Sequence, residues 1–538
     1  MTNDFTPKVK SMRTNTLKTV LVAGAALFGA AACTDLVIEP ESTVPANTIF
    51  QSESSYEQFL AKIYAGLALT GQQGPAGAGD IQRITDEGFS NYVRLWWVLN
   101  ELPTDEAVLG WGDDGLPEMH FGTWGSANQW PGGMYSRIFF QIGMVNEFLR
   151  ETSPEKLDER NVSAETRADI VQFQAEARFM RAYSYWHGID LFGSIPLVDE
   201  TSPLAGDPPE QASRADLYNY VASELTDLRS ALPAAGAGEY GRADQGAVDM
   251  LLAKLYLNAE VYTGAPAWGD ALAAAERVIT SNAYELDDSY TEVFLADNHT
   301  SPEQIFTVPQ DGINTRTWGG TTFLAHAAVG GNMDAGAYGL DFAWWGLRIQ
   351  PEVVNLFPET GDGRADDIFF TDGQSVAISD RGDFFQGLAA PKYQNVTSDG
   401  TPGSNLTHVD ADFVVFRLAD AYLMYAEAHL QGGGGDAATA LGYINELRER
   451  SYGDTSGNIT AGELTLGFIL DERARELYWE GHRRTDLIRF GLFTGGEYLW
   501  TFKGGSETGT AIEDFRSLYA LPAGEISANP NLVQNPGY

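Results

Sequence analysis

The stretch Ala421-Tyr422-Leu423-Met424-Tyr425-Ala426-Glu427-Ala428, followed by Gly432–Gly435 and then by Ala437, Ala440-Leu441 and Ile444, carries the reading of the fold. Apolar and small side chains recur at helical spacing on both sides of the glycines, so the segment reads as two helices joined by a tight turn. The alanines fall where the two helices must approach closely. The glycine run has neither the spacing nor the preceding strand of a phosphate-binding loop, and reads as the turn itself.

A second stretch repeats the pattern: Leu251-Leu252-Ala253-Lys254-Leu255-Tyr256-Leu257, a short loop, then Trp268, Ala271, Ala275 and Val278-Ile279. Helix pairs with small residues at the crossing point to a tetratricopeptide-like helical repeat, here degenerate. In the helix expected over 168–191, Ala175, Phe179, Ala182 and Trp186 form one stripe and read as core. Further helices are expected at 55–69, 134–150, 213–231, 243–262, 268–281, 412–430, 436–450 and 467–490. The expected fold is mainly α, a helical repeat scaffold over about 55–70, 134–282 and 412–490. Long loop-rich insertions with a few short strands interrupt it at about 80–133 and 285–410. Binding usually sits in such insertions.

The chain has 538 residues, 74 of them acidic and 34 basic, for a net charge of −40. It is long enough to bury a large core without disulfides or metals, and its acid excess argues against a nucleic-acid partner. One cysteine, Cys33, excludes an intrachain disulfide and any multi-cysteine metal site. The seven histidines lack metal-ligand spacing, so no metal or other cofactor is expected, and calcium is left open. Residues 1–18 carry Lys8, Lys10, Arg13 and Lys18 against Asp4. An apolar run from Thr19 to Ala32 follows, too short to span a bilayer, and ends in Ala30-Ala31-Ala32-Cys33. The segment 1–32 therefore reads as a lipoprotein signal peptide, Cys33 as the lipidated residue, 33–50 as an extended stalk and 51–538 as a single domain. Loss of 1–32, with its one acid and four bases, would take the charge from −40 to −43 and leave five lysines. With acids spread along the whole chain, this composition suits a surface adapted to high salt, where screening removes self-repulsion.

Several segments in order resemble the SusD/RagB family of outer-membrane nutrient-binding lipoproteins. They are Cys33-Thr34-Asp35-Leu36, Leu102-Pro103-Thr104-Asp105-Glu106, and Ala175–Tyr185 leading into Leu191-Phe192-Gly193-Ser194-Ile195-Pro196-Leu197-Val198. Phe416–Ala428, Glu472–Phe490 and the tail Leu521–Ile526 with Asn529–Tyr538 complete the set. The resemblance implies a tetratricopeptide scaffold with an inserted loop-rich lobe, no catalysis, and a lipid-anchored protein on the outer-membrane surface. Such a protein captures an oligosaccharide or other nutrient for a SusC-like TonB-dependent transporter. Glu101–Pro117, with Asp105-Glu106-Ala107-Val108 and Trp111-Gly112-Asp113-Asp114-Gly115-Leu116-Pro117, looks similar to the starch-binding branch.

Sugars are held by flat aromatic faces beside polar groups that fix their hydroxyls, so exposed aromatics in loops are the candidates. Trp111 stands among Gly110, Gly112, Asp113 and Asp114; Trp124 lies near Asn128; Trp318 lies between Thr317 and Gly319. Of the adjacent pair Trp344-Trp345, one is expected in the core and the other outside, because neighbours on an extended chain face opposite ways. Trp345, just before Gly346 and Arg348, is taken as the platform. The expected site is thus an arc of Trp111, Trp124, Trp318 and Trp345, with Arg94, Asp114, Asn128 and Arg348 as polar partners. Glu472–Arg489 is denser in charge, but Arg and Glu at helical spacing read as structural ion pairs, and Glu480-Gly481-His482 lacks the paired histidines of a metalloprotease. A peptide-binding relative in the same family, and a glycoside hydrolase with two carboxylates across a cleft, stand as alternatives.

Overall fold

The computed structural model describes residues 49–50, 52–81, 83–358 and 360–538. The expected signal segment 1–32, the anchor Cys33 and the stretch to Thr48 lie outside the described residues.

Twelve α-helices of seven residues or more occur among the described residues, labelled here in chain order. The first six are α1 (Ser54–Ala68), α2 (Tyr92–Asn100), α3 (Gln129–Glu151), α4 (Ala164–Phe192), α5 (Arg214–Leu228) and α6 (Gln245–Leu257). The others are α7 (Trp268–Thr280), α8 (Gly320–Ala327), α9 (Leu418–Leu430), α10 (Ala437–Tyr452), α11 (Leu466–Leu477) and α12 (Arg483–Arg489). Side chains of Ser163, Ser213, Asp244, Asp436 and Thr465 accept the free N–H groups at the starts of α4, α5, α6, α10 and α11.

The two helix pairs read from the sequence are α6–α7 and α9–α10. They stack directly on each other, α7 against α9, although the loop-rich lobe separates them in the chain. Ala271, Ala274 and Ala275 of α7 and Ala419, Ala421 and Ala426 of α9 are fully buried, so the small residues sit at close crossings. On the other side the stack continues through α5, α4, α3 and α1. In α4 the stripe Ala175, Phe179, Ala182 and Trp186 is buried as expected. Each large apolar side chain taken fully out of water contributes about 1.5–3 kcal/mol.

Three expectations change. Residues 413–417, read as the start of a helix, form a strand: Phe-Val-Val-Phe-Arg is aromatic and β-branched, buried throughout, and pairs with Gln304–Val308. The helix expected over 467–490 breaks after Leu477, where Trp479 and Gly481 take φ of 64° and 84°. There the Trp479 N–H donates to Glu106 and its carbonyl accepts the Trp97 indole. Residues 80–133 are not all loop: α2 lies among them, buried at every position. A helix buried on every face, polar Arg94 and Asn100 included, has no exposed polar face to set off an apolar stripe.

The charged motif is a buried lattice. Arg417 binds Glu303, Glu476 and Glu480, each at 2.7 Å, and Arg364 binds Glu472 at 2.7 Å and Glu476 at 3.0 Å. Lys392 adds a 2.7 Å contact to Glu480, and Lys254 joins Asp420 and the His482 ring. Its members come from the scaffold and from the inserted lobe, so it locks the two together. Three of the five lysines among the described residues, Lys254, Lys392 and Lys503, are buried, which leaves the described surface almost without lysine.

Among the described residues, strands pair in three antiparallel two-stranded sheets: β1 (Ala107–Leu109) with β5 (Leu347–Ile349), β2 (Ile195–Pro196) with β3 (Gln211–Ala212), and β4 (Gln304–Val308) with β6 (Phe413–Arg417). The β1–β5 pair joins the two loop-rich regions. Its register sets Leu109 opposite Leu347 and is prolonged by the Gly110 N–H donating to the Gly346 carbonyl at 2.9 Å.

Candidate functional site

Just past that register lie Trp111 on one side and Trp344-Trp345 on the other. Regular pairing would set Trp111 against Trp345. Instead Trp345 takes a left-handed φ of 57°, and the backbone turns. The turn is held by the C-terminal end of α8: the N–H groups of Trp344, Trp345 and Gly346 donate to the carbonyls of His326, Val329 and Ala327 at 3.0, 3.1 and 3.0 Å. His326 and Ala327 belong to the last turn of α8, where carbonyls lack the regular intrahelical partner, and Val329 follows just after it. As a result Trp344 meets Trp111, with ring centroids 6.1 Å apart, and accepts the Trp111 indole N–H on its carbonyl at 3.3 Å. Gly346 permits this approach, since a Cβ there would lie 2.4 Å from the Trp111 ring.

Trp318 completes the group at 6.1 Å from Trp344. Its backbone is fixed by Glu87, a buried carboxylate that accepts the Trp318 N–H at 2.9 Å and the Thr70 hydroxyl at 2.5 Å. Behind the three indoles lies a second layer of rings. His326 stacks on Trp344 at 4.9 Å, His408 meets Trp318 at 4.7 Å, and Phe323 meets Trp111 edge-on at 6.0 Å.

Together the indoles line a cleft of about 590 Å³, with Phe89, Gly112, Arg94 and the carboxylates Asp86 and Asp113. Each tryptophan in it is half-buried. The Arg94 guanidinium lies between Phe89 and Phe323, 4.5 and 4.2 Å from their centroids, and donates to the Trp318 carbonyl at 3.2 Å. Its Nε is buried without a partner. Burial pushes its pKa down to about 10, with Asp86 and Asp113 pulling the other way, so it is a cation at neutral pH. The arrangement offers three apolar faces, a cation and two anions around one cavity, which is the equipment for holding a neutral, hydroxyl-rich chain.

The structure therefore brings together Trp111, Trp318 and Arg94 of the expected set and reassigns the rest. Trp344 occupies the place given to Trp345, because the choice turns on one backbone dihedral. Asp113, not the exposed Asp114, lines the cleft. Trp124 is core: it is buried, its indole donates to the Tyr538 hydroxyl at 2.7 Å, and it packs on Tyr519. Asn128 is the N-cap of α3, accepting the Trp130 N–H and donating to the Gly115 carbonyl. Arg348 is buried in β5 and binds the main-chain carbonyls of Gly346, Arg381, Asp383 and Gln386, holding the 381–386 loop. Asp86 and Phe89 carried no sequence signal of their own, since they border a helix that periodicity does not show.

Comparison with known proteins agrees with this architecture. A family model described as the SusD family matches residues 379–538. A relative from Bacteroides thetaiotaomicron named starch-binding protein SusD is 35% identical, covering 91% of this chain and 93% of that protein. A SusD-like protein, P25, from Formosa agariphila is 26% identical over 97% of this chain and 99% of its own length. Among solved structures, a SusD homologue from Bacteroides thetaiotaomicron superimposes with a TM-score of 0.72 at 19% identity, covering 91% of this chain and 98% of its own, which speaks to the fold. By its identity and coverage with the first of these relatives, the chain belongs to the SusD family.

Proposed function

We propose that the protein is a non-catalytic glycan-binding lipoprotein that captures an α-glucan of the starch type at the Trp111–Trp344–Trp318 cleft. It hands the chain to a SusC-like TonB-dependent transporter and is held at the outer-membrane surface by a lipid on Cys33. One observation carries the reading of the ligand. Trp111 and Trp318 each stand 6.1 Å from Trp344, tilted from it by 46° and 45°, and all three line a single cavity. We read the three rings, tilted against one another along one open cleft, as an arc. An α-1,4-linked glucan coils and presents a curved apolar edge to such an arc, whereas a β-1,4-linked chain is a flat ribbon. The starch-binding name of the 35% identical relative supports the same choice.

Native gels cast with starch, pullulan or dextran test it. Wild type is expected to be retarded by starch and pullulan, and Trp111→Ala/Trp344→Ala is expected to lose most of that retardation. An unretarded wild type contradicts the α-glucan reading, and a double variant retarded as strongly as wild type contradicts the arc. Release of shorter sugars during incubation with a maltooligosaccharide contradicts the non-catalytic reading. Co-purification of the lipidated protein with an outer-membrane transporter tests the partner.

A further inference from the structure

Exposed aromatic surface gathers in one part of the molecule. Among the described residues, the strongly exposed Trp and Phe side chains are Phe342, Trp345 and Phe385, at 45, 48 and 38%. All three flank the cleft without lining it. Trp345 and Phe385 form an edge-to-face pair at 6.1 Å, and buried Phe384 backs the indole at 5.9 Å. The turn at Trp345 needs a left-handed residue to cap α8, but it does not need an indole. Glycine or asparagine adopts this φ far more readily than a bulky side chain. Trp345 thus combines an unfavourable backbone conformation with an indole left in water, and strain persisting at an exposed position points to function.

The patch is also held still. Arg348 ties four carbonyls of the 346–386 neighbourhood, three of them on the loop that carries Phe385, and its guanidinium lies 5.5 Å from the Phe384 ring. The Asp383 carboxylate accepts the Phe385 N–H at 3.0 Å. Beside the rings, exposed Asn332 follows Gly331, over which Phe385 lies, and offers an amide for hydroxyl groups. Two exposed rings cover far less than the roughly 800 Å² per partner of a stable protein interface. They match one or two pyranose units.

We propose that Trp345 and Phe385 form a second glycan platform, separate from the cleft, that binds a further segment of the same polysaccharide. The proposal rests on the reading of the cleft as a glucan site. Trp344 and Trp345 leave one turn on opposite sides, Trp344 toward Trp111 and Trp345 toward Phe384. A short oligosaccharide therefore cannot stack on both, and a long chain or a neighbouring chain can. The second platform raises retention of polymer by linking two weak contacts, and leaves the affinity for short chains unchanged.

The test uses Trp345→Asn/Phe385→Ser, in which asparagine keeps the left-handed backbone and both rings are removed. Maltotriose affinity by calorimetry is expected to stay within about twofold of wild type, while retention in amylopectin gels falls by about tenfold. Unchanged retention on amylopectin overturns the second platform and leaves the cleft standing. Lost maltotriose binding overturns it as well, since the patch would then be part of the cleft. In parallel, Trp111→Ala/Trp344→Ala is expected to lose maltotriose and keep a weak retention on amylopectin that vanishes when Trp345→Asn is added. Maltotriose binding that survives in this variant overturns the reading of the cleft itself.

Discussion

Two arginines in this molecule show the difference between a structural cluster and a binding site. Arg417, in the buried lattice, makes five side-chain hydrogen bonds, to Glu303, Glu476, Glu480 and the Glu476 carbonyl, one for each of its N–H donors. Arg94, in the cleft, makes one among the described residues and leaves its Nε without a partner. The lattice is dense in acids and bases, yet its central groups are saturated by one another and out of water. The cleft is sparse in charge, but its rings and its cation face a cavity with capacity to spare. Density of chemistry along the sequence marks the first region; unsatisfied chemistry in space marks the second. The lesson is that a run such as Glu472–Arg489 deserves suspicion as an active site until its donors have been counted against its acceptors.

The sharpest way to break this comparison is to cut the lattice. Arg417→Ala leaves Glu303, Glu476 and Glu480 buried without their central cation, and removal of one partner from such a group costs about 3–5 kcal/mol. A matching fall in the denaturation midpoint is expected, with the glucan affinity of the folded fraction unchanged. An affinity loss without a stability loss would place Arg417 in the binding machinery instead. The converse change is Gly346→Ala, whose Cβ collides with the Trp111 ring. It is expected to weaken glucan binding by about tenfold, or about 1.4 kcal/mol, while moving the midpoint far less than Arg417→Ala does.

Acid separates the two regions more gently. Burial pushes Glu472 up, but Arg364, Arg475 and Arg448 outweigh it and hold the carboxyl at about 2; Arg473 and Arg489 do the same for Asp486, also to about 2. Folded values below the unfolded value of about 4 mean that their stabilisation is present above that pH and is lost as pH falls toward about 2. The melting temperature should decline over that window, and Glu472→Gln, less stable at neutral pH, should show a shallower decline. A variant as steep as wild type would exclude Glu472 as a source of the acid response. Arg94 titrates near 10 and so stays charged across the same window.

The scaffold was legible because its evidence is local. Paired helices with Ala271, Ala275, Ala421 and Ala440 at their crossings announce themselves by period and residue size. What escaped lacks a local mark. Tyr92–Asn100 is buried on every face, and Phe413–Arg417 resembles a helix start until Gln304–Val308 is found beside it. In the cleft, Trp111 and Trp318 stood out as tryptophans among glycines and polar residues. The choice between Trp344 and Trp345 depends on a dihedral set by the end of α8, and Trp124 is covered by Tyr538, the last residue of the chain. Such facts belong to tertiary structure, and no reading along the chain reaches them.

A crystal structure of the protein soaked with maltoheptaose would place the glucan against the three indoles or away from them. Glucose rings are expected stacked on Trp111, Trp318 and Trp344, with Arg94, Asp86 or Asp113 at their hydroxyls. A glucan bound elsewhere, such as the apolar groove at Tyr64 and Tyr240, with the three indoles bare, would contradict that placement.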